Sequence, residues 1–430
     1  MKSIYFSVLA LSLAQAAPAT AQTSYFYPTE GFTLGDKSRI HTDLVTGVVF
    51  DSNSQRAPRT VSEPTSDVRI NIKPGITVEV PGTKASFGLT GHFLYSQFLN
   101  VNETTTGQDN ALLGGDVGLQ AKVGTARSPA ALSISNLLLR TPTVLDAPGT
   151  NATDERAFRA WTNQASVTGT FRPGGGALEF DLGYTQNLLI YDELAPNQQH
   201  GGVFEVRYRF LPRTALILHT GYSLFEPDDP RLRDSDGDIV ERATNRSAPL
   251  NLWLGASGQI TARLNATIAA GYANSFTYQD SFYSALAASS QETVIGQVRM
   301  GYQFTDTIDL NAGYNRSIRP VVELDNLISD LIDVRYSMQL FSRLIFQLYG
   351  GFEWRNFGVG EPDADVEHRS AHLLTGDVSL TYYFFDFLTG SVKYRITNQE
   401  SDDEDLPASS ALLLGEFTRH QVFFNVGLNY

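Results

Sequence analysis

Few residues of this chain could hold a metal ion or carry out acid–base chemistry, and they are scattered. The chain has no Cys, which excludes a disulfide framework and a thiolate metal site. Only His368 and His372 approach metal-ligand spacing, and they flank a loop, where solvated side chains are the simpler expectation. The histidines are His41, His92, His200, His219, His368, His372 and His420. Because the G-x-S-x-G and P-loop motifs are also missing, the sequence predicts neither an enzyme nor a bound cofactor.

A short acidic run has the composition of a calcium-binding loop. It reads Asp-Ser-Asp-Gly-Asp over residues 234–238, with Gly237 in fourth place, whereas an EF-hand loop requires glycine in sixth place. The runs at 361–367 and 400–405 are similarly acidic. Such runs are typical of solvated loops, and weak binding of divalent cations shared with lipopolysaccharide is the alternative.

The overall charge excludes one class of partner. The chain has 32 Lys and Arg residues against 46 Asp and Glu residues, which gives a net charge of −14. Binding to nucleic acid depends on clustered cations that contact phosphates. No nucleic-acid partner is therefore expected.

The first 21 residues have the features of an export signal. Lys2 precedes an apolar stretch over residues 4–14, and Ala19-Thr20-Ala21 is a suitable cleavage site. No later run of about 18 apolar residues could form a membrane-spanning helix. We therefore expect residues 1–21 to be removed and any membrane insertion to use β-strands.

The rest of the sequence alternates between apolar and polar residues in the way that β-strands do. Eighteen such runs are centred on 42–51, 67–80, 84–98, 114–124, 129–138, 157–171, 176–189, 201–211, 213–224, 248–260, 262–274, 291–304, 307–317, 332–341, 343–356, 370–385, 387–398 and 414–430. No stretch has helical periodicity over three turns. The sequence predicts an all-β fold.

The connections alternate in length along the whole chain. Every second one is tight, as at Pro81-Gly82-Thr83 or Asp386, and the others are long and polar, for example 52–66, 139–156, 225–247 and 318–331. Outer-membrane barrels have this asymmetry, with short periplasmic turns and long extracellular loops. The sequence therefore predicts a closed antiparallel transmembrane β-barrel of about 18 strands over residues 42–430, preceded by a periplasmic segment at 22–41.

Alternation within the strands separates a lipid-facing side from a lumen side. In the strand at 201–211, Phe204 and Val206 point outward, while Glu205 and Arg207 point inward. Trp253 is an exception, because this register turns it inward. The charged residues predicted to line the lumen are Arg69, Lys73, Glu205, Arg207, Arg209, Arg299, Asp309, Arg335, Glu353, Asp377, Lys393 and Arg395. Their mixed signs do not predict strong ion selectivity.

The strand ends and the last strand have features that are typical of bacterial outer-membrane barrels. Aromatic residues gather at the strand ends, for example Phe171 and Phe384 beside tight turns and Trp354 beside a long loop, as in the girdles of membrane barrels. The last strand alternates and ends at Tyr430, which resembles the C-terminal signal that the outer-membrane assembly machinery recognises. We expect this machinery, outer-membrane lipid and lipopolysaccharide to be partners.

The chain resembles a family of outer-membrane β-barrels found in exopolysaccharide and capsule gene clusters. The likeness lies in residues 46–51 and 70–75, in the strand opening at 249–258, and in repeated Gly-Tyr pairs such as Gly271-Tyr272 and Gly313-Tyr314. The resemblance implies an outer-membrane conduit that secretes an exopolysaccharide without covalent chemistry. It also implies a partner, a periplasmic polysaccharide export protein.

Two alternatives to export follow from the same residues. A general diffusion porin or sugar-uptake channel would need a loop folded into the lumen, and 225–247 is the best candidate. An adhesin or scaffold barrel would have a blocked lumen and functional outer loops.

Overall fold

The structure is a computed structural model. It describes residues 31–34, 38–53, 66–99, 111–125, 127–141, 160–191, 196–227, 231–233, 239–241, 246–278, 290–321, 324–358, 368–401 and 416–430. The predicted signal peptide and the acidic runs at 234–238 and 361–367 lie outside these residues, as does 402–405.

Eighteen long strands, numbered β1 to β18 in chain order, form one antiparallel sheet in the described residues. They are Ser38–Asp51, Asp67–Val80, Ala85–Phe98, Ala111–Val123, Ala130–Thr141, Ala160–Phe171, Leu178–Tyr191, Asn197–Leu211, Thr214–Pro227, Leu250–Gln259, Leu264–Asn274, Glu292–Thr305, Ile308–Val321, Leu324–Leu340, Leu344–Gly358, His368–Phe385, Leu388–Ser401 and Phe417–Asn429. Each strand pairs with its neighbours in sequence. The predicted strand number is confirmed.

The sheet closes into a barrel because β1 pairs with β18. The register runs from Asp43 opposite Asn429 to Asp51 opposite Gln421. Thr42 and Tyr430 add two backbone hydrogen bonds of 2.9 Å at the end of this seam. Closure gives every strand a partner on both sides, which a sheet in lipid requires because lipid offers no hydrogen bonds to an open edge.

Shorter strands extend the sheet at its two ends. Phe32–Leu34 pairs with the first residues of β1, so the barrel wall begins inside the segment predicted to be a periplasmic arm. Arg246–Ser247 pairs with Thr277–Tyr278 at the long-loop end, and Arg231–Arg233 pairs with Ile239–Glu241 in a separate ribbon. The tight turn after β6 contains a short 3-10 helix, Pro173–Gly175.

The long loop predicted at 318–331 is wrong. β13 continues to Val321 and β14 begins at Leu324, so both strands extend beyond the predicted ends. The polar residues that suggested a loop are paired within the wall: Arg316 donates to Asp330 at 2.8 Å, and Ser329 donates to Glu353 at 2.5 Å. Strands that extend past the lipid can carry polar residues on both faces, and they then lose the apolar alternation.

The outward face of the barrel is apolar. Leu182, Leu254, Ile268 and Val294 have relative exposures of 68%, 61%, 59% and 69%. In contrast, the fully buried side chains include Arg355, Asp67 and Thr162. A wall with its apolar side outside and its polar side inside matches a barrel in lipid and is the reverse of a water-soluble barrel. Among the described residues, no helix has the length and hydropathy needed to cross a membrane.

Candidate functional site: the charged lumen wall

The predicted lumen residues all lie on the inward face of their strands. Arg299, for example, stands between the exposed Val298 and Met300, and Lys393 stands between the exposed Val392 and Tyr394. The same alternation places the other members inside: Arg69, Lys73, Glu205, Arg207, Arg209, Asp309, Arg335, Glu353, Asp377 and Arg395. The structure brings them together in several clusters rather than in one site.

The first cluster joins β1 to β4 and is called the His92 cluster. His92 lies between two carboxylates, with Nδ1 at 2.6 Å from Asp116 and Nε2 at 3.5 Å from Asp43. Lys73 Nζ is 2.9 Å from the second oxygen of Asp116. Gly75 leaves the space for this arrangement, because a Cβ at Gly75 would overlap the His92 ring and lie 2.7 Å from Asp43 Oδ2.

The second cluster runs from the turn after β6 to β8 and is called the Glu179 cluster. Glu179 accepts hydrogen bonds from Arg172 at 2.5 Å and from Arg207 at 2.6 Å, and Arg209 lies at 3.4 Å. Arg207 also donates to Glu205 at 2.6 Å. Each buried carboxylate is thus held by more than one donor, which offsets the cost of removing it from water.

An aromatic pair continues the Glu179 cluster along the wall. His219 Nδ1 is 3.3 Å from Glu205, and its ring stacks on Trp253 with centroids 4.6 Å apart. Trp253 therefore points inward, as the sequence register indicated, and its stacking on His219 accounts for an aromatic residue on the lumen face. The strand opposite has Gly271, where a Cβ would lie 2.5 Å from Trp253 Cα.

The third cluster spans β12 to β17. Asp377 accepts from Arg395 at 2.7 Å and lies 2.9 Å from Lys393 Nζ. The Arg335 guanidinium is 5.7 Å from the centre of the Tyr349 ring. Arg299 is 3.7 Å from Asp333. Cations thus line this part of the lumen wall at several levels along the barrel axis. Arg395 and Lys393 lie within 2.9 Å of a carboxylate oxygen, whereas Arg299 lies 3.7 Å from one and Arg335 lies over an aromatic ring.

Two further groups lie toward the long-loop end and are almost fully buried. Arg355 donates to Glu353 at 2.9 Å and to Gln399 at 3.1 Å. Arg419 is paired with Asp51 across the seam between β18 and β1. Because these charges are 1% to 8% exposed, their role is to hold the wall together rather than to meet solutes.

Sequence reasoning left His92, Asp43 and His219 out of the predicted site. Each one becomes significant only through residues on neighbouring strands, for instance Gly75 opposite Asp43 and His92, or Trp253 opposite His219. The alternation did place them inside, but only the strand register shows which inward residues meet. His372 and His420 lie elsewhere, with aromatic partners Phe352 and Tyr394.

In the part of the chain that the structure describes, no group of three or more His, Asp and Glu residues is placed to hold a metal ion. The charged clusters can present charge to a polar solute along the lumen that the barrel wall encloses.

Comparison with known proteins gives structural neighbours only. No family model matches the chain, and no curated protein matches it. One similar solved structure is OccAB4 of Acinetobacter baumannii, with 12% identity, a TM-score of 0.49 and coverage of 92% of this chain and 99% of that one. Another is the outer membrane protein opdK of Pseudomonas aeruginosa, with 14% identity, a TM-score of 0.46 and coverage of 91% and 99%.

A third neighbour is the FrpB iron transporter of Neisseria meningitidis, with 11% identity, a TM-score of 0.45 and coverage of 92% and 82%.

The chain itself is an outer-membrane β-barrel. Its closed sheet of eighteen strands, apolar exterior and charged interior carry that conclusion.

Proposed function

We propose that the barrel is a passive outer-membrane channel for small hydrophilic solutes and performs no covalent chemistry. The observation that carries this proposal is the inner wall, where charged clusters follow one another around the barrel while apolar side chains face outward. A barrel of eighteen strands is wide enough for an aqueous path. Cations such as Lys73 and Arg209 are partly exposed on that wall, which suits solutes that carry charge.

Secretion of an exopolysaccharide, with a periplasmic export protein as partner, is the rival function that the sequence resemblance implies. A long polymer of hydroxyl groups would be matched best by amides and hydroxyls along its whole path. The wall described here has such groups, for example Ser96 with Asn71, but it also carries ion pairs at many levels, and this abundance of charge favours small polar solutes over a polymer.

The test is permeation through the purified barrel. Reconstituted protein should give ion conductance in planar bilayers, and it should let small sugars enter liposomes faster than trisaccharides. Gly88 and Gly350 give a matched pair of variants, because a Cβ at either position meets nothing within 4 Å. Gly88→Trp places its ring in the lumen and should lower conductance, whereas Gly350→Trp places it in lipid and should not.

Three outcomes would contradict the proposal. A barrel that assembles but neither conducts nor admits sugars would favour the scaffold function. Equal conductance of the two Trp variants would contradict a path along this wall. Loss of surface polysaccharide in a deletion strain, with synthesis intact, would favour export.

A further inference from the structure

Two arginines lie diagonally on either side of one strand of the lumen wall, and Asp333 is the residue directly across that strand from Arg299. Arg299 on β12 is opposite Gly313 on β13, and Arg335 on β14 is opposite Asn311 on β13. Neighbouring strands are about 4.8 Å apart and the two arginines are offset by two residues along β13, so their Cα atoms are separated by roughly 12 Å. Long side chains can converge over β13 from both sides. We call Arg299, Arg335, Asn311, Gly301 and Gly313 the Arg299–Arg335 niche.

Two glycines, Gly301 and Gly313, leave space above the backbone of this niche because they have no side chains. A Cβ at Gly313 would lie 3.0 Å from Asp333 Oδ1 and 3.4 Å from Arg299 Cγ, and one at Gly301 would lie 2.9 Å from Asn311 Oδ1. Any larger residue would fill the space between the two arginines. The wall is therefore recessed at the place where the guanidinium groups stand.

Both guanidinium groups are loosely held compared with others in the lumen. Arg207 and Arg395 each donate to a carboxylate at 2.6 to 2.7 Å. Arg299 is 3.7 Å from Asp333, and Arg335 lies over the Tyr349 ring. Within the residues that the structure describes, neither Arg299 nor Arg335 donates a hydrogen bond to a carboxylate. Their N–H groups can therefore donate hydrogen bonds to an oxyanion without first breaking a strong ion pair.

Two cations of the lumen, Arg299 and Lys73, are also more exposed than the carboxylates beside them. The side chain of Arg299 is 41% exposed and that of Asp333 is 15% exposed. The same order holds for Lys73 and Asp116, at 37% and 16%. A solute that passes these two positions thus meets the Arg299 guanidinium and the Lys73 ammonium group before it meets the carboxylates beside them. Asp309, the other acid near the niche, accepts a hydrogen bond from Asn311 at 3.1 Å.

We propose that the Arg299–Arg335 niche binds the carboxylate or phosphate group of a small solute transiently and makes the channel prefer anions. The inference rests on the proposed channel function and names its substrate class as small organic and inorganic oxyanions. Paired guanidinium groups match such oxyanions through parallel hydrogen bonds. A loose site suits transport, because a permeating solute must leave as readily as it enters.

The first experiment measures the reversal potential of the full-length barrel in a KCl gradient. Wild type should prefer chloride over potassium, and Arg299→Gln with Arg335→Gln should reduce that preference about two- to fivefold. One-sided addition of benzoate or phosphate should slow chloride current in wild type only. Arg316→Gln is the control, since it removes an equally charged residue that pairs with Asp330 on the outward face. It should leave the reversal potential unchanged.

A chemical probe keeps the inference testable if the double variant assembles poorly. The chain has no Cys, so Asn311→Cys introduces a single thiol into the niche. A thiosulfonate reagent with a sulfonate group should modify it faster than one with a trimethylammonium group, after correction for their rates with a free thiol. Cation selectivity in wild type, an unchanged reversal potential in the double variant, or equal modification rates would overturn the inference. A barrel without conductance but with faster modification by the sulfonate reagent would contradict the channel function alone.

Discussion

The imidazole of His219 lies almost flat on the indole of Trp253, with ring centroids 4.6 Å apart and planes inclined by 16°. The pair sits on the lumen face of β9 and β10, and Glu205 fixes the other side of the imidazole. Gly271 on β11 leaves the space that Trp253 occupies, because a Cβ added at position 271 would overlap the backbone and side chain of Trp253. The contacts of His219, Trp253 and Gly271 thus link the packing of three neighbouring strands, β9, β10 and β11.

This relationship predicts that Gly271 tolerates no side chain. Gly271→Val should lower the stability of the folded barrel by about 1–3 kcal/mol, because the wall has to shift to admit the Cβ and its two methyl groups. Gly88→Val is the control, since nothing lies within 4 Å of a Cβ there. Urea unfolding followed by heat-modifiable mobility on gels measures both. Equal stability of the two variants would contradict the packing described for Trp253.

The sequence predicted the strands well wherever one face meets lipid. The run predicted at 67–80 is the strand Asp67–Val80, because its apolar residues alternate along its whole length, with only Pro74 standing in the outward row between Ile72 and Ile76. The start of β14 was missed because Asn326, Ser329 and Asp330 follow one another closely, and each forms a side-chain hydrogen bond with a residue on another strand. Strands that leave the lipid lose the alternation on which the prediction depends.

The inward direction of the charged residues was also predictable, but their grouping was not. Lys73 and Arg207 belong to an inward face by alternation alone. That Lys73 meets Asp116, or that Arg207 links Glu179 to Glu205, depends on the register between strands that tight turns and bulges set. Glycines such as Gly75 and Gly313, which leave room for those contacts, carry no signal until the register is known.

The two faces of β11 predict opposite responses to a new charge. Ile268 faces outward and is 59% exposed, and its neighbour Thr267 faces the lumen, where it donates to Ser257. Ile268→Arg should reduce the yield of assembled barrel, because Arg near the middle of the membrane costs about 2–4 kcal/mol. Thr267→Arg should assemble nearly as wild type. Similar assembly defects in both variants would show that the two faces are not separated at this strand.

The orientation of the barrel predicts which connections are reachable from outside the cell. The tight turn after β6 includes Gly174, which lies at the same end of the barrel as Tyr430. The strand β9 ends at Pro227, at the opposite end of the barrel, and in the sequence the connection that follows it contains Asp236. An epitope inserted at Asp236 should be labelled on intact cells, and one at Gly174 only after the outer membrane is permeabilised. The reverse pattern would contradict short turns on the periplasmic side.

The buried ion pair at the seam predicts how the barrel closes. Arg419 on β18 donates to Asp51 on β1, and the two residues are 3% and 7% exposed. Asp51→Asn should lower stability by about 3–5 kcal/mol, because it leaves the Arg419 charge without its counter-ion in a place that water does not reach. Asp51→Leu combined with Arg419→Leu should recover much of that loss, since it removes both charges together. Arg316→Gln, on the exposed outward pair, should cost at most about 1 kcal/mol. Unfolding midpoints in urea measure all three, and a double variant less stable than Asp51→Asn would mean that the hydrogen bonds of the pair, rather than its uncompensated charge, dominate closure.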